Sequence, residues 1–238
     1  MPGGRAANLV WGTGMIVDLN LRGKRVLVVG AGHEAERKVE ALLSQGAEIV
    51  VVAEELSDRL QALWLDGRIK VKRVQVKSGG FLAYFDRLTL VMAVTDDREI
   101  NRKIVEAAKK RGVYTYAADD PAVSDFSHPA VINLYDKVQI AVSTGGMSPL
   151  MARTLREKAE KVFTEMIRKE DLLQIELQDR LRGEIKGMLR KPEERKQFLV
   201  RVLRSAEIRG LLADNRLDEA ETCALSWLRN GSSSPSGA

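Results

Sequence analysis

The residues with the clearest chemical capacity stand early in the chain. Gly30-Ala31-Gly32-His33-Glu34-Ala35 is a G-x-G-x-x-A run that follows the apolar segment Arg25–Val29 and opens a helical pattern. In that setting Gly30 permits a tight turn and Gly32 lets backbone come close to a diphosphate. Ala35, in place of a third glycine, still allows close packing of helix on strand, so the phosphates of a dinucleotide would rest on the helix N-terminus. His33 would meet such a cofactor through its backbone. A carboxylate about 20 residues further on takes the ribose hydroxyls in such units, and Glu54 and Glu55 follow Ala53 there. No Arg or Lys adjoins them to neutralise a 2′-phosphate, which favours NAD over NADP. The two glutamates would equally suit a solvated helix start. Val94-Thr95-Asp96-Asp97, with Asn101 one turn later, sets further polar groups at a strand end. Thr95 is placed to approach the nicotinamide half, and Asp96 to line the site, while Asp96 or Asp97 would also serve as an ordinary helix cap.

These residues need a scaffold that brings strand ends together. The short apolar runs 25–29, 48–52, 69–76, 88–94 and 113–117 read as strands, and 34–44, 56–65 and 99–110 as helices. Strands alternating with helices predict a Rossmann-type, doubly wound parallel α/β sheet over residues 15–120. The pattern then changes. Pro121, Pro129 and two strand signals (130–133 and 138–143) occupy a small region, 121–150, and a helical region, 151–230, follows. Its helices are expected over 149–168, 170–190, 193–208 and 217–229, with Pro192 and Gly210 as breaks. The glycine-rich residues 1–14 read as a flexible arm and 231–238 as a disordered tail.

Composition narrows the classes of function. Of 238 residues, 38 are Lys or Arg and 33 Asp or Glu, leaving a formal net charge of +5. The basic residues are not concentrated: residues 15–149 hold 19 against 18 acidic, and residues 150–230 hold 18 against 15. Interleaved signs are the mark of solvated helix faces, so no nucleic-acid partner is expected, whereas an anionic small substrate fits. No uncharged apolar run is long enough to span a bilayer, and no membrane partner is expected. Cys223 is the single cysteine, which excludes an intramolecular disulfide and suits a reducing cytoplasm. With only His33 and His128 as imidazoles, no resident metal site is expected.

Four motifs in order carry a more specific resemblance. Leu21-Arg-Gly-Lys-Arg-Val-Leu-Val-Val-Gly-Ala-Gly-His-Glu-Ala-Glu-Arg-Lys38, Ala93-Val-Thr-Asp-Asp97, Asp119-Asp120-Pro121 and Ser143-Thr-Gly-Gly-Met-Ser-Pro-Leu-Met-Ala-Arg153 resemble the precorrin-2 dehydrogenase family, which includes the N-terminal part of siroheme synthase. The resemblance covers roughly residues 16–165. It implies NAD-dependent oxidation of precorrin-2 to sirohydrochlorin, in some members followed by insertion of ferrous or cobaltous ion. A homodimer joined through the segment after the Rossmann domain is implied as well. The methyltransferase domain of the fused enzymes finds no room in this length. Asp119 matches the family's catalytic aspartate and would serve as the base that dehydrogenation requires, or as the first residue of a proline-containing turn. In Thr144-Gly145-Gly146-Met147-Ser148-Pro149, Ser148 suits an N-cap and Pro149 a first helical position. With Arg153 and Arg156 three residues apart, this turn makes an acceptor surface for the polycarboxylate substrate, or else a structural helix start with surface arginines.

The chain also departs from the family pattern. Tyr116 stands three residues before Asp119 where the family has Asn, and His128 precedes Pro129 where an apolar residue is more common. His128 suggests metal delivery, though packing is the commoner role of such a histidine. Two other functions fit parts of the sequence: an NAD-responsive redox-sensing module acting on a partner or DNA through the helical tail, and a different small-molecule dehydrogenase on the same fold.

Overall fold

The computed structural model describes residues 14–229; the expectations for the residues before 14 and for 231–238 lie outside the described residues. The first half alternates strands and helices: β1 (Arg25–Val29), α1 (His33–Ser44), β2 (Glu48–Ala53), α2 (Asp58–Leu65), β3 (Lys70–Arg73), β4 (Leu88–Ala93), α3 (Arg98–Lys109) and β5 (Tyr114–Ala117). The five strands form one sheet in the order β3-β2-β1-β4-β5, every neighbouring pair parallel. All carboxyl ends therefore lie along one edge. The strand order reverses beside β1, so the β1–α1 turn opens at the switch point where open α/β sheets bind ligands.

Alternation along β1 shows why the sheet is covered on both faces. Val26 and Val28 point into a core with Ala35, Val39 and Leu42 of α1 and Leu60 and Leu63 of α2. Leu27 and Val29 point into the opposite core with Ile104, Val105 and Ala108 of α3. Val26, Leu27, Val28 and Val29 are fully buried. At roughly 1.5–3 kcal/mol for each large apolar side chain removed from water, these two layers fix the register of the edge that carries the site. Two short 3-10 turns, Gly79–Tyr84 and Pro121–Val123, complete this half. The strand expected over 69–76 stops at Arg73, beyond which Val74–Val76 line a cleft.

The chain divides into two compact units, one running to Pro129 with Ser143–Pro149 added, the other comprising Ala130–Val142 and the chain from Leu150. The second unit opens with an antiparallel hairpin, β6 (Ala130–Leu134) and β7 (Val138–Val142). Its turn residues Tyr135 and Asp136 both have positive φ, 57° and 54°, and Asn133 Nδ2 donates to Asp136 Oδ1 at 2.8 Å. Five helices follow: α4 (Pro149–Met166), α5 (Lys169–Met188), α6 (Pro192–Arg204), α7 (Ala206–Ala213) and α8 (Leu217–Arg229). Leu177, Leu181 and Ile185 of α5 meet Phe198, Val202, Ile208, Leu212, Ala220 and Ala224 in a separate core. The single helix expected over 193–208 is in fact two. Ser205 adopts an extended conformation and its hydroxyl accepts the Ile208 N–H, so the break is an N-cap, and Gly210 sits inside α7 rather than ending a helix. Among the described residues no helix is long and apolar enough to cross a membrane.

Candidate functional site

The β1–α1 turn is shaped by contacts that only glycine tolerates. Gly30 has φ 120°, and a Cβ there would lie 2.5 Å from the Val94 carbonyl oxygen; the turn passes directly over the end of β4. Gly32 is different: a Cβ would meet nothing within 4 Å, so its bareness leaves space in front of the helix. Gly32 is also the N-cap of α1 and provides no side-chain hydrogen bond. The first amides of α1 thus face outward at the positive end of the helix dipole, as a diphosphate requires. The open space and the uncapped amides fit the phosphates of a dinucleotide. The Glu34 carboxylate turns along the helix to Arg37 (2.9 Å) and Lys38 (3.3 Å), and His33 Nδ1 lies 3.5 Å from Glu36 Oε2. The contribution of both residues to the turn is therefore their backbone.

A cleft of about 540 Å³ runs along this edge, lined by Gly30–Gly32, Val52–Ser57, Val74–Val76, Val94–Asp97 and Ile100. It gathers Glu54, Glu55, Thr95 and Asp96 beside the glycine turn. Both glutamates are exposed and line the cleft. Arg73, the cation at the end of neighbouring β3, is drawn away: it donates to Gln61 Oε1 (2.9 Å) and lies over the Trp64 ring at 5.5 Å. Asp97 is the α3 cap, its Oδ1 accepting the Glu99 and Ile100 N–H groups at 2.8 and 3.0 Å.

Beyond the cleft wall, one buried amide ties the edge together. Asn101 is 1% exposed. Its Oδ1 accepts the Thr95 N–H (3.0 Å) and lies 2.7 Å from the Thr95 hydroxyl, while Nδ2 donates to the Thr95 carbonyl (2.9 Å) and to Asp119 Oδ1 (2.9 Å). The Thr95 hydroxyl is engaged here and with the Asp97 backbone. Asp119 follows β5 on the same edge, its side chain 31% exposed, with Oδ2 3.9 Å from Arg98 Nε. Asp120 pairs with Arg98 at 3.4 Å and accepts the Ala122 N–H at 3.1 Å.

The segment carrying Asp119 is fastened back onto β5. Asp125 Oδ2 accepts from the Thr115 amide (2.9 Å) and hydroxyl (2.8 Å), and Lys109 lies 3.0 Å from Asp125 Oδ1. Burial works against the Asp125 charge, but the Thr115 and Lys109 hydrogen bonds outweigh it and hold its carboxyl below the usual range. The Ser124 hydroxyl accepts the Ala117 N–H at 2.9 Å. Tyr116, Phe126 and His128 stack edge to face or tilted, 5.0–5.7 Å between ring centroids, and the Lys38 ammonium lies 4.4 Å from the Tyr116 ring centre. Desolvation, then the Lys38 ammonium, lower the His128 pKa to about 4, with Glu34 opposing and Arg37 assisting. Both departures from the family pattern thus belong to one packed cluster. Among the described residues no group of three His, Cys, Asp or Glu side chains comes together as a metal ion would require.

The second glycine turn is closed by its own threonine. Thr144 Oγ1 accepts the Ser148 N–H at 3.2 Å and lies 3.1 Å from the Ser148 carbonyl, and the Met147 N–H reaches the Thr144 carbonyl at 3.1 Å. Gly145 and Gly146 have φ of 61° and 82°, which explains two glycines in succession. On α4, Arg153 pairs with Glu157 at 3.0 Å and Arg156 with Glu160 at 2.7 Å. Such solvated i, i+4 pairs contribute little, so an incoming carboxylate would displace them easily.

The fold and its glycine-built edge define an NAD(P)-binding domain of the α/β class. Residues 17–130 match the family model described as "Putative NAD(P)-binding", and residues 136–161 match "Sirohaem biosynthesis protein central". The chain is similar to an NAD(P)-binding model over its first half and to a sirohaem-biosynthesis model just after it. It is 42% identical over 145 residues to a siroheme synthase of Gluconacetobacter diazotrophicus, covering 61% of this chain and 31% of that protein. It is 33% identical over 193 residues to siroheme synthase 1 of Aeromonas salmonicida, covering 81% and 39%. The chain thus spans less than half the length of these curated relatives. Among solved structures, "SirC, precorrin-2 dehydrogenase" superposes with a TM-score of 0.66 at 22% identity, covering 90% of this chain and all of that one. At that identity the likeness is one of fold.

Proposed function

We propose that the chain oxidises precorrin-2 to sirohydrochlorin with NAD. The observation that carries this reading is the hydrogen-bonded link from the cleft through Thr95 and Asn101 to Asp119, which joins a dinucleotide edge to an accessible carboxylate. The match to the sirohaem-biosynthesis model and the likeness to SirC, a precorrin-2 dehydrogenase, support the substrate. The Gly30–Ala35 turn would hold the diphosphate and Glu54 or Glu55 the adenosine ribose. When bound, NAD supplies the hydride acceptor. Asp119 takes the proton that the oxidation releases, and the surrounding chain holds its carboxylate at the sheet edge. Thr144, Gly145, Gly146 and Ser148 are proposed acceptors for the carboxylates of the macrocycle, as are Arg153 and Arg156. Ferrous or cobaltous ion would be a second substrate rather than a resident group.

A second copy of the chain is the proposed partner. In α4 only Ala152 is buried, while Leu150, Leu155, Val162 and Met166 are 74%, 42%, 61% and 57% exposed. The hairpin adds Val131 and Tyr135. Leu155, Val162 and Met166 recur at helical spacing, and exposed apolar residues in such a row suit a self-complementary contact. Cytoplasmic placement is proposed on the single cysteine, Cys223, whose thiol burial pushes above its ordinary range.

The test is anaerobic turnover of precorrin-2 with NAD, scored by sirohydrochlorin absorbance, then with ferrous or cobaltous ion added. Turnover without metal is expected, and Asp119→Ala should lower it by roughly 10²–10⁴-fold while leaving NADH binding intact. Folded protein that binds NADH but leaves precorrin-2 unchanged would remove the assignment.

A further inference from the structure

The first turn of α3 contains a polar side chain where its pattern calls for an apolar one. The buried stripe of this helix is Asn101, Ile104, Val105 and Ala108, the i, i+3, i+4, i+7 spacing of a core face. An amide in that stripe must be fully hydrogen-bonded, or its burial costs on the order of 1–3 kcal/mol. Here it is. The orientation of the amide is dictated by its partners: the Thr95 N–H can only donate, so it selects Oδ1, and the Thr95 carbonyl and the Asp119 carboxylate can only accept, so they select Nδ2. A hydroxyl has too few sites for this pattern, and a carboxylate cannot donate. The side chain therefore couples the β4–α3 turn, which walls the cleft, to the loop after β5.

We infer that Asn101 is the positioning residue for Asp119. It fixes Oδ1 by a neutral donor and leaves Oδ2 as the oxygen that takes the substrate's proton. The inference rests on the proposed dehydrogenation for the role of that proton, but the geometry it concerns stands by itself. Two consequences separate it from a merely structural role. Nδ2 donates to the charged carboxylate and so favours it. Removing the donor frees the Asp119 carboxylate from its place, and a carboxylate in the donor's position should push it away. The carboxylate is also held against rotation, so its loss should appear in kcat more than in KM.

The experiment uses the full chain with Asn101→Asp, and with Asn101→Ser as the gentler change. The Asp119 carboxyl is followed by NMR of protein labelled with [¹³C]aspartate, its resonance assigned by disappearance in Asp119→Asn. In parallel, kcat and KM of precorrin-2 oxidation are measured at one fixed pH for wild type and both variants. The expected result is a displaced Asp119 carboxyl resonance, more so in Asn101→Asp than in Asn101→Ser, and a kcat at least tenfold lower in Asn101→Asp with KM within about threefold of wild type. NADH affinity should stay within about threefold of wild type, and Asn101→Ser, which keeps one donor, should retain more of the kcat. If Asn101→Asp does not fold, Asn101→Ser decides. A folded variant whose Asp119 resonance and kcat match wild type overturns the inference. Wild-type protein that binds NADH without oxidising precorrin-2 overturns the proposed reaction instead, and the Asp119 resonance still tests the tether.

Discussion

The glycine-built sheet edge of the first unit and the hairpin-plus-α4 segment of the second solve opposite problems. In the first unit the three central strands β1, β2 and β4 are covered on both faces, and the space in front of Gly32 is open to backbone amides. In the second unit the hairpin and α4 leave Leu150, Leu155, Val162, Met166, Val131 and Tyr135 at the surface. The same chain thus carries a region whose vacancy is polar and shaped for a small ligand, and one whose uncovered face is apolar and extended. The first suits a dinucleotide, and the second is the face proposed above to meet a second copy of the chain.

The sharpest way to break this comparison lies within the glycine turn. Gly30→Ala brings a Cβ to 2.5 Å from the Val94 carbonyl at a φ of 120°, and should cost roughly 3–5 kcal/mol in stability through backbone strain and overpacking. Gly32→Ala meets nothing within 4 Å at an ordinary φ of −77°, so it should change stability by less than about 1 kcal/mol. Its methyl group would nevertheless stand where a diphosphate approaches, and NADH affinity should fall at least tenfold, about 1.4 kcal/mol. Denaturant unfolding and NADH fluorescence titration check the pair. A Gly32→Ala chain binding NADH like wild type would show that the open space is not a phosphate site.

The apolar face gives the next effect. Leu155→Glu combined with Val162→Glu places two charges on the α4 stripe without entering either core, and should raise the dissociation constant of a dimer at least tenfold, about 1.4 kcal/mol. Light scattering across a dilution series measures it. A wild-type chain that stays monomeric at high micromolar concentration would instead leave the stripe without a second copy.

How much of this was legible beforehand follows the range of the interactions. Gly30-x-Gly32-x-x-Ala35 announces itself because its demands are local: one turn, one helix start, one strand before it. β1, β2 and β4 were legible because burial on both faces writes continuous apolar runs, and the first three helices because their apolar residues recur at helical spacing. Asn101 was visible as a polar group near a strand end, but its tether to Asp119 joins residues eighteen apart in sequence. The signal that existed was its place in the stripe with Ile104, Val105 and Ala108. The Asp125–Thr115 and Ser124–Ala117 fastenings were likewise invisible, since each needs the loop to fold back on β5. The break before α7 was misplaced because glycine outweighed serine as a stop signal, whereas a Ser cap starts a new helix more decisively than one glycine ends an old one. Tyr116 and His128 looked like separate departures from the family pattern, and only folding makes them neighbours.

That pair provides the smallest effect, and one with a definite sign. In the folded chain His128 is lowered from 6.5 to about 4, first by desolvation and then by Lys38, with Arg37 adding to it and Glu34 opposing. As pH falls through 6.5 the unfolded chain takes up a proton that the folded chain refuses, so stability declines between about 6.5 and 4 and is unaffected by this group above that window. Part of the residue remains at the surface, so solvent screening should hold the contribution to less than about 1 kcal/mol. His128→Phe keeps a ring against Tyr116 and Phe126 but cannot take the proton. Its thermal stability should therefore match wild type at pH 7.5 and exceed it modestly at pH 5. An identical pH dependence in the two chains would mean that the imidazole is solvated well enough to titrate as in the unfolded state, and that the cluster acts through packing alone.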